Sequence, residues 1–171
     1  MSSMLQRRWW MLLALAAAVV LLGWLSQRPA DAPAATKPSP LPADLAITQL
    51  AVRIDSQEWR LEQHADAWRL SGDGAVRAAD PDKVMQLLNM LRVPAEASYA
   101  LDAVDENQIG LAPPRAILTV NGDITLRLGG NTAIGQSRYL ASDTALLLVS
   151  PLLAYYVEQE AGFYALDATD R

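Results

Sequence analysis

The chain has 171 residues, with 14 basic and 19 acidic side chains and no cysteine. Without cysteine there are no disulfides, no thiolate catalysis, no iron–sulfur clusters, no cysteine-ligated zinc and no lipidated-cysteine anchor. Arg7, Arg8 and Arg28 stand in the first 28 residues with no acid among them; the rest carries eleven basic against 19 acidic residues, net −8, a surface that repels nucleic acid.

Residues 1–8 form a basic start, and an uncharged apolar run of 17 residues follows over 9–25. As a helix this run spans roughly 26 Å, the short end of what a hydrocarbon core of about 30 Å requires. No polar face interrupts Met11 through Leu22, which argues against a buried amphipathic helix. Trp9, Trp10 and Trp24 flank the run where indoles favour the lipid–water boundary, and Arg7 and Arg8 favour a cytoplasmic N-terminus. The expectation is one transmembrane signal anchor in the inner (cytoplasmic) membrane, with the C-terminal bulk extracytoplasmic, periplasmic in a Gram-negative host. The competing reading is a cleaved secretory signal, for which Ala30-Asp31-Ala32 and Ala32-Pro33-Ala34 supply small-residue sites.

Residues 26–44 read as a Pro/Ala-rich linker containing Pro29, Pro33, Pro38, Pro40 and Pro42. In polyproline geometry it reaches about 50 Å. One domain is expected over 45–165, with a short tail at 166–171. Leu50, Val52 and Ile54, then Trp59 and Leu61, then Trp68 and Leu70 alternate with polar residues, the pattern of three antiparallel strands with one buried face. Turns are expected near Asp55-Ser56-Gln57 and His64-Ala65-Asp66.

The period then changes. Asp80 is a natural N-cap and Pro81 suits the first helical position. Val84, Leu87, Leu88 and Leu91 follow at helical spacing, and the helix should stop before Pro94. Met85 and Met90 read as core filler. A short strand is expected over 93–101 and a helical turn over 102–108 that ends at Gly110. Strands at 116–120 and 124–128 flank Asn121-Gly122, a type I′ hairpin signal, and Gly129-Gly130 closes the second of them. Strands at 137–141 and 145–149 and a helix over 152–158, started by Ser150-Pro151, complete the chain. The fold class is α+β: a mainly antiparallel sheet with two to three short helices behind a membrane anchor.

The block Ile109-Gly110-Leu111-Ala112-Pro113-Pro114, followed by a strand pair, Leu128-Gly129-Gly130, Gly135 and Arg138-Tyr139, resembles the domain-of-unknown-function family 4340 (DUF4340) over about residues 47–156. That resemblance implies an exported or membrane-anchored, uncharacterized protein with links to transport systems, and it implies no catalytic residue. Read from the residues themselves, the motif is structural. Gly110 suits a left-handed cap of a helical turn. Leu111, Pro113 and Pro114 stiffen the approach to a strand. Gly129 and Gly130 suit positive φ at a sharp bend. Gly135 and Tyr139 complete the pattern.

Chemistry is sparse. The stretch 129–135 lacks the lysine and hydroxyl residue of a phosphate loop. His64 is the only histidine and reads as a solvated turn residue; Asp102, Asp105 and Glu106 read as helix-start acids rather than cation ligands. No catalytic, cofactor-binding or metal residue is assigned. Tyr155, Tyr156, Phe163 and Tyr164 cluster near the C-terminus, either as core closure or as a protein contact. The expected function is a non-enzymatic accessory or scaffold protein of a bacterial envelope complex, with the transport association that the resemblance implies, whose partners are the membrane and another envelope protein. The alternative is an extracytoplasmic module for a small ligand or glycan, and an enzyme of unfamiliar type ranks third.

Overall fold

The computed structural model describes residues 37–72, 74–133 and 135–166. The anchor expected over 9–25, with its flanking tryptophans, lies outside them. Among the described residues no helix is long and apolar enough to cross a membrane.

The α+β expectation holds. The strands are β1 (Gln49–Ile54), β2 (Gln57–His64), β3 (Ala67–Gly72), β4 (Ala75–Ala78), β5 (Ala97–Ala100), β6 (Ala116–Val120), β7 (Ile124–Asn131), β8 (Arg138–Ala141) and β9 (Ala145–Val149). All pair antiparallel in one sheet of order β4-β3-β2-β1-β6-β7-β8-β9-β5. The described helices are α1 (Pro81–Met90) and α2 (Pro151–Val157), with 3-10 turns at Leu101–Ala103 after β5 and Ala161–Tyr164 after α2.

Register fixes the faces, because directly opposed residues of an antiparallel pair point the same way. Leu50, Leu61 and Leu70 share one row, and Ala116, Leu128, Leu140 and Leu147 share another on the same face. All are buried in the main core with Val84, Leu87 and Leu88 of α1 and Leu153, Ala154 and Val157 of α2. The opposite face is covered where the 106–111 segment crosses β7 toward β8 and β9, with Leu111 meeting Ala141 and Leu146 in a small second cluster.

The expected signals act as chemistry requires. The Asp80 carboxylate accepts from the amides of Asp82 and Lys83, and the Ser150 hydroxyl accepts from the Leu152 amide. Both residues of the hairpin signal take positive φ, 52° at Asn121 and 83° at Gly122. The Asn121 side chain also accepts from the amides of Thr48 and Gln49 and donates to Ala46 O, so it fixes the approach to β1.

Several expectations are corrected. The linker expected to Asp44 ends earlier: Leu41 is fully buried in the main core, Pro38 O accepts from the Ala95 amide, and Arg92 Nη2 donates to Leu45 O. Leu166, where the tail is expected to begin, still belongs to the sheet margin, since it donates its amide to Ala78 O; the rest of that segment lies outside the described residues. β4 was not anticipated. β5 is shorter than the strand expected over 93–101, since Val93 follows α1 and lies 40% exposed. Met85 is exposed because it faces away from the sheet; Met90 does pack against the core.

Candidate interaction site

The aromatic residues near the C-terminus come together, as two short elements aim them at one place. Within α2, Tyr155 and Tyr156 lie on either side of the helix–core boundary, and the turn Ala161–Tyr164 brings Phe163 and Tyr164 back beside them. Ring centroids are 5.4 Å apart for Tyr155–Tyr156, 6.5 Å for Tyr155–Phe163, 6.3 Å for Tyr156–Phe163 and 5.1 Å for Phe163–Tyr164. Tyr164 continues inward to Trp59 at 4.9 Å. The four rings do not share one role. Tyr164 is wholly buried, so it is core and not contact surface; Tyr156 and Phe163 are half-buried, and Tyr155 is 53% exposed beside an exposed Leu152.

Polar contacts hold this stack in place. The Tyr164 hydroxyl donates to Tyr156 O, and the Tyr156 hydroxyl donates to Gln86 Oε1 at 2.6 Å, tying α2 to α1. Burial pushes the Tyr164 phenol well above its ordinary range, with the neighbouring Tyr156 and Tyr155 adding to the shift. Lys83 sits 5.0 Å above the Phe163 ring and 3.5 Å from an Asp80 carboxylate oxygen. Arg138, 8% exposed, donates to Glu158 Oε1 at 2.5 Å and to Gly129 O at 3.0 Å, and so pins the C-terminal end of α2 to the sheet. A rigid base therefore presents Tyr155.

The glycine-rich motif makes one interlock rather than a site for chemistry. Gly110 has φ of 70°, as a left-handed cap requires, and a Cβ there would lie 3.0 Å from Gly130 N. Gly129 and Gly130 were expected at a positive-φ bend; they lie inside β7 instead. Their small size is needed because the 109–111 backbone crosses directly over them. A Cβ on Gly129 would stand 2.7 Å from Ile109 O, the same oxygen that accepts from the Gly130 amide at 2.8 Å. Leu111 and Pro114 form a bridge across the turn, the Ala112–Pro113 peptide is cis, and Tyr139 packs on the Leu111 cluster. Gly135 takes φ of 73° in open space, a plain turn position.

The acids of the 102–106 stretch separate. The 3-10 turn stops at Ala103, so Asp105 and Glu106 do not begin a helix. Asp105 accepts from the backbone and side chain of Asn107, which holds its carboxyl below the usual range. Glu106 makes a two-pronged pair with Arg127 at 2.5 and 2.9 Å, and its carboxyl is lowered by that bond. Sequence reasoning missed this pair, which joins residues 21 apart across a loop and a strand.

Two broad hollows open on the described surface. One, of about 400 Å³, is lined by Glu58, Trp59, Arg60, Ser71, Gly72 and Val76 among others. The other, of about 660 Å³, is lined by Ala100, Leu101, Asp102, Val104, Glu106, Asp143 and Thr144. Both are wide at the mouth and partly charged, unlike the deep apolar pocket that the ligand-module alternative calls for. Trp59 Nε1 is buried without an acceptor, a cost of about 1–3 kcal/mol. It has essentially no accessible surface, so nothing in the adjoining hollow reaches it. His64 is exposed at the end of β2. In comparison with known proteins, the chain matches no family, no curated protein and no solved structure.

Proposed function

We propose that this chain is a non-enzymatic, membrane-anchored extracytoplasmic accessory or scaffold subunit of a bacterial envelope complex, which docks on its partner through the surface around Tyr155. The observation that carries this reading is the exposed Tyr155 ring at the outer end of an aromatic stack whose inner ring, Tyr164, is buried. Tyrosine supplies a large contact area at small entropic cost when its neighbours already hold it still. The apolar run over 9–25, with its arginines and tryptophans, supports the single-pass anchor and the cytoplasmic N-terminus. The order of the Gly110–Pro114 and Gly129–Gly130 blocks supports membership of DUF4340, where a transport-associated role belongs.

The test is purification of the full chain from native membranes in mild detergent, beside the Tyr155→Glu variant. A stoichiometric membrane complex recovered with the wild type and lost with a folded Tyr155→Glu variant supports the proposal. Recovery of the wild-type protein alone, or a complex indifferent to Tyr155, overturns the docking surface.

A further inference from the structure

The two margins of the sheet are treated differently. At β4, Leu166 donates to Ala78 O and Ala79 bridges to Ala165, so the chain's own C-terminal segment covers part of that margin. At the other end β5 pairs with β9 only, and no described residue pairs with its second side. Edge strands that must stay unpaired are commonly blunted by lysine, proline, a bulge or a covering loop. β5 is short, four residues, but it holds no lysine, proline or bulge, and no described residue covers its outer side. Its sequence is Ala97-Ser98-Tyr99-Ala100, with Ser98 and Ala100 exposed and Tyr99 51% exposed.

What lies at the end of this edge defines what fits it. Ala100 leads directly into the 660 Å³ hollow, whose lining combines half-buried Leu101 and Val104 with the carboxylates of Asp102, Glu106 and Asp143. Arg127 pairs with Glu106 and also feels the charge of Asp143, while neither Asp102 nor Asp143 makes an ion-pair contact within 4.0 Å among the described residues, so the rim stays net acidic. An apolar floor with an acidic rim suits a lysine or arginine, whose methylene stem covers the leucine and valine while its charged head meets the aspartates. We infer that the free edge of β5 and the Asp102/Asp143 hollow together form a docking site for an extended basic segment of a partner protein. The segment adds as a tenth strand through main-chain hydrogen bonds, and charge in the hollow sets its register. This site is separate from Tyr155 and stands whether or not that surface docks.

The probe is a fluorescein-labelled peptide of alternating valine and lysine, titrated by anisotropy into the full chain in uncharged detergent micelles. The control carries glutamate in place of lysine. The lysine peptide is expected to bind at least about tenfold more tightly, to weaken about tenfold against D102N/D143N, and to weaken further as salt screens the exposed charges. Slowed amide exchange at residues 97–100 should accompany binding. Both substitutions are at exposed positions outside the cores, so folding is retained. Equal affinity for the two peptides, an unchanged affinity of D102N/D143N, or unprotected β5 amides overturns the inference. So does a dimer of the chain that protects β5 and shuts the peptide out.

Discussion

Replacing Gly129 with alanine tests the interlock at the point where it is tightest. The new Cβ would lie 2.7 Å from Ile109 O and 3.2 Å from two carbons of Leu111. The nearest obstacle is backbone, so no side-chain rotation relieves it, and the 109–111 segment must lift. Such overpacking costs about 1–3 kcal/mol. Displacing Ile109 O also weakens its bond from the Gly130 amide, about 1 kcal/mol. Alanine restricts the unfolded chain, which returns about 0.4–1 kcal/mol. The net loss is about 1–3.5 kcal/mol. With a urea slope of about 2 kcal/mol per molar, the midpoint falls by about 0.5–1.8 M. The assay is urea unfolding of the full chain in mild detergent, followed by tryptophan fluorescence. Gly162→Ala is the control, because nothing lies within 4 Å of its added carbon. If Gly129→Ala unfolds at the same midpoint as Gly162→Ala, the crossing does not constrain the fold.

Leu41→Ala should cost about 2–5 kcal/mol in the same assay, because the removed side chain is core; a change within 0.5 kcal/mol would return this segment to the linker. Tyr164→Phe keeps the ring and loses the bond to Tyr156 O, a cost of about 1–2 kcal/mol by thermal or urea unfolding. Because its folded pKa is raised, Tyr164 stabilises the fold fully below the ordinary tyrosine range and loses that contribution as pH climbs above it. Absorbance titration should therefore show Tyr164 ionising only together with unfolding. The sign is opposite for Glu106, whose folded pKa is lowered: its contribution is complete above the ordinary carboxylate range and is lost as pH falls through the folded value. Carbon-detected NMR titration should place the Glu106 carboxyl low in the wild type and higher in Arg127→Met.

Local signals were legible in this chain where one short segment contains both cause and effect. Asn121-Gly122, Asp80-Pro81 and Ser150-Pro151 each needed only their own backbone geometry, and each formed what its chemistry requires. The alternation of Leu50, Val52, Trp59 and Leu61 showed the buried face for the same reason. β4 was illegible because Ala75 to Ala78 is four residues long and mostly exposed, so no apolar period marks it. β7 runs past Leu128 through two glycines that disfavour strands; they fall where the register with β8 slips, between Leu128–Leu140 and Asn131–Arg138, and the Ile109 crossing holds them there. Nor does any local pattern show that β5 pairs with β9, or that Glu106 finds Arg127. Among the aromatic residues, spacing showed the cluster but not its depth. Which rings go inward depends on where the Ala161–Tyr164 turn lands against β3 and Trp59.

The seating of Leu41 sets how the domain carries mechanical load. Tension that enters along the backbone at residue 37 does not meet a strand first. It strips Pro38 O from the Ala95 amide, then draws Leu41 from the core, then parts Leu45 O from Arg92, and only afterwards reaches the Asn121 clasp around residues 46–49. Beyond that clasp is β1, flanked on both sides by β2 and β6, which must be sheared from both neighbours at once. Contacts made one at a time thus stand in series ahead of a strand bonded on both sides, so a pull at residue 37 meets them before it meets the sheet.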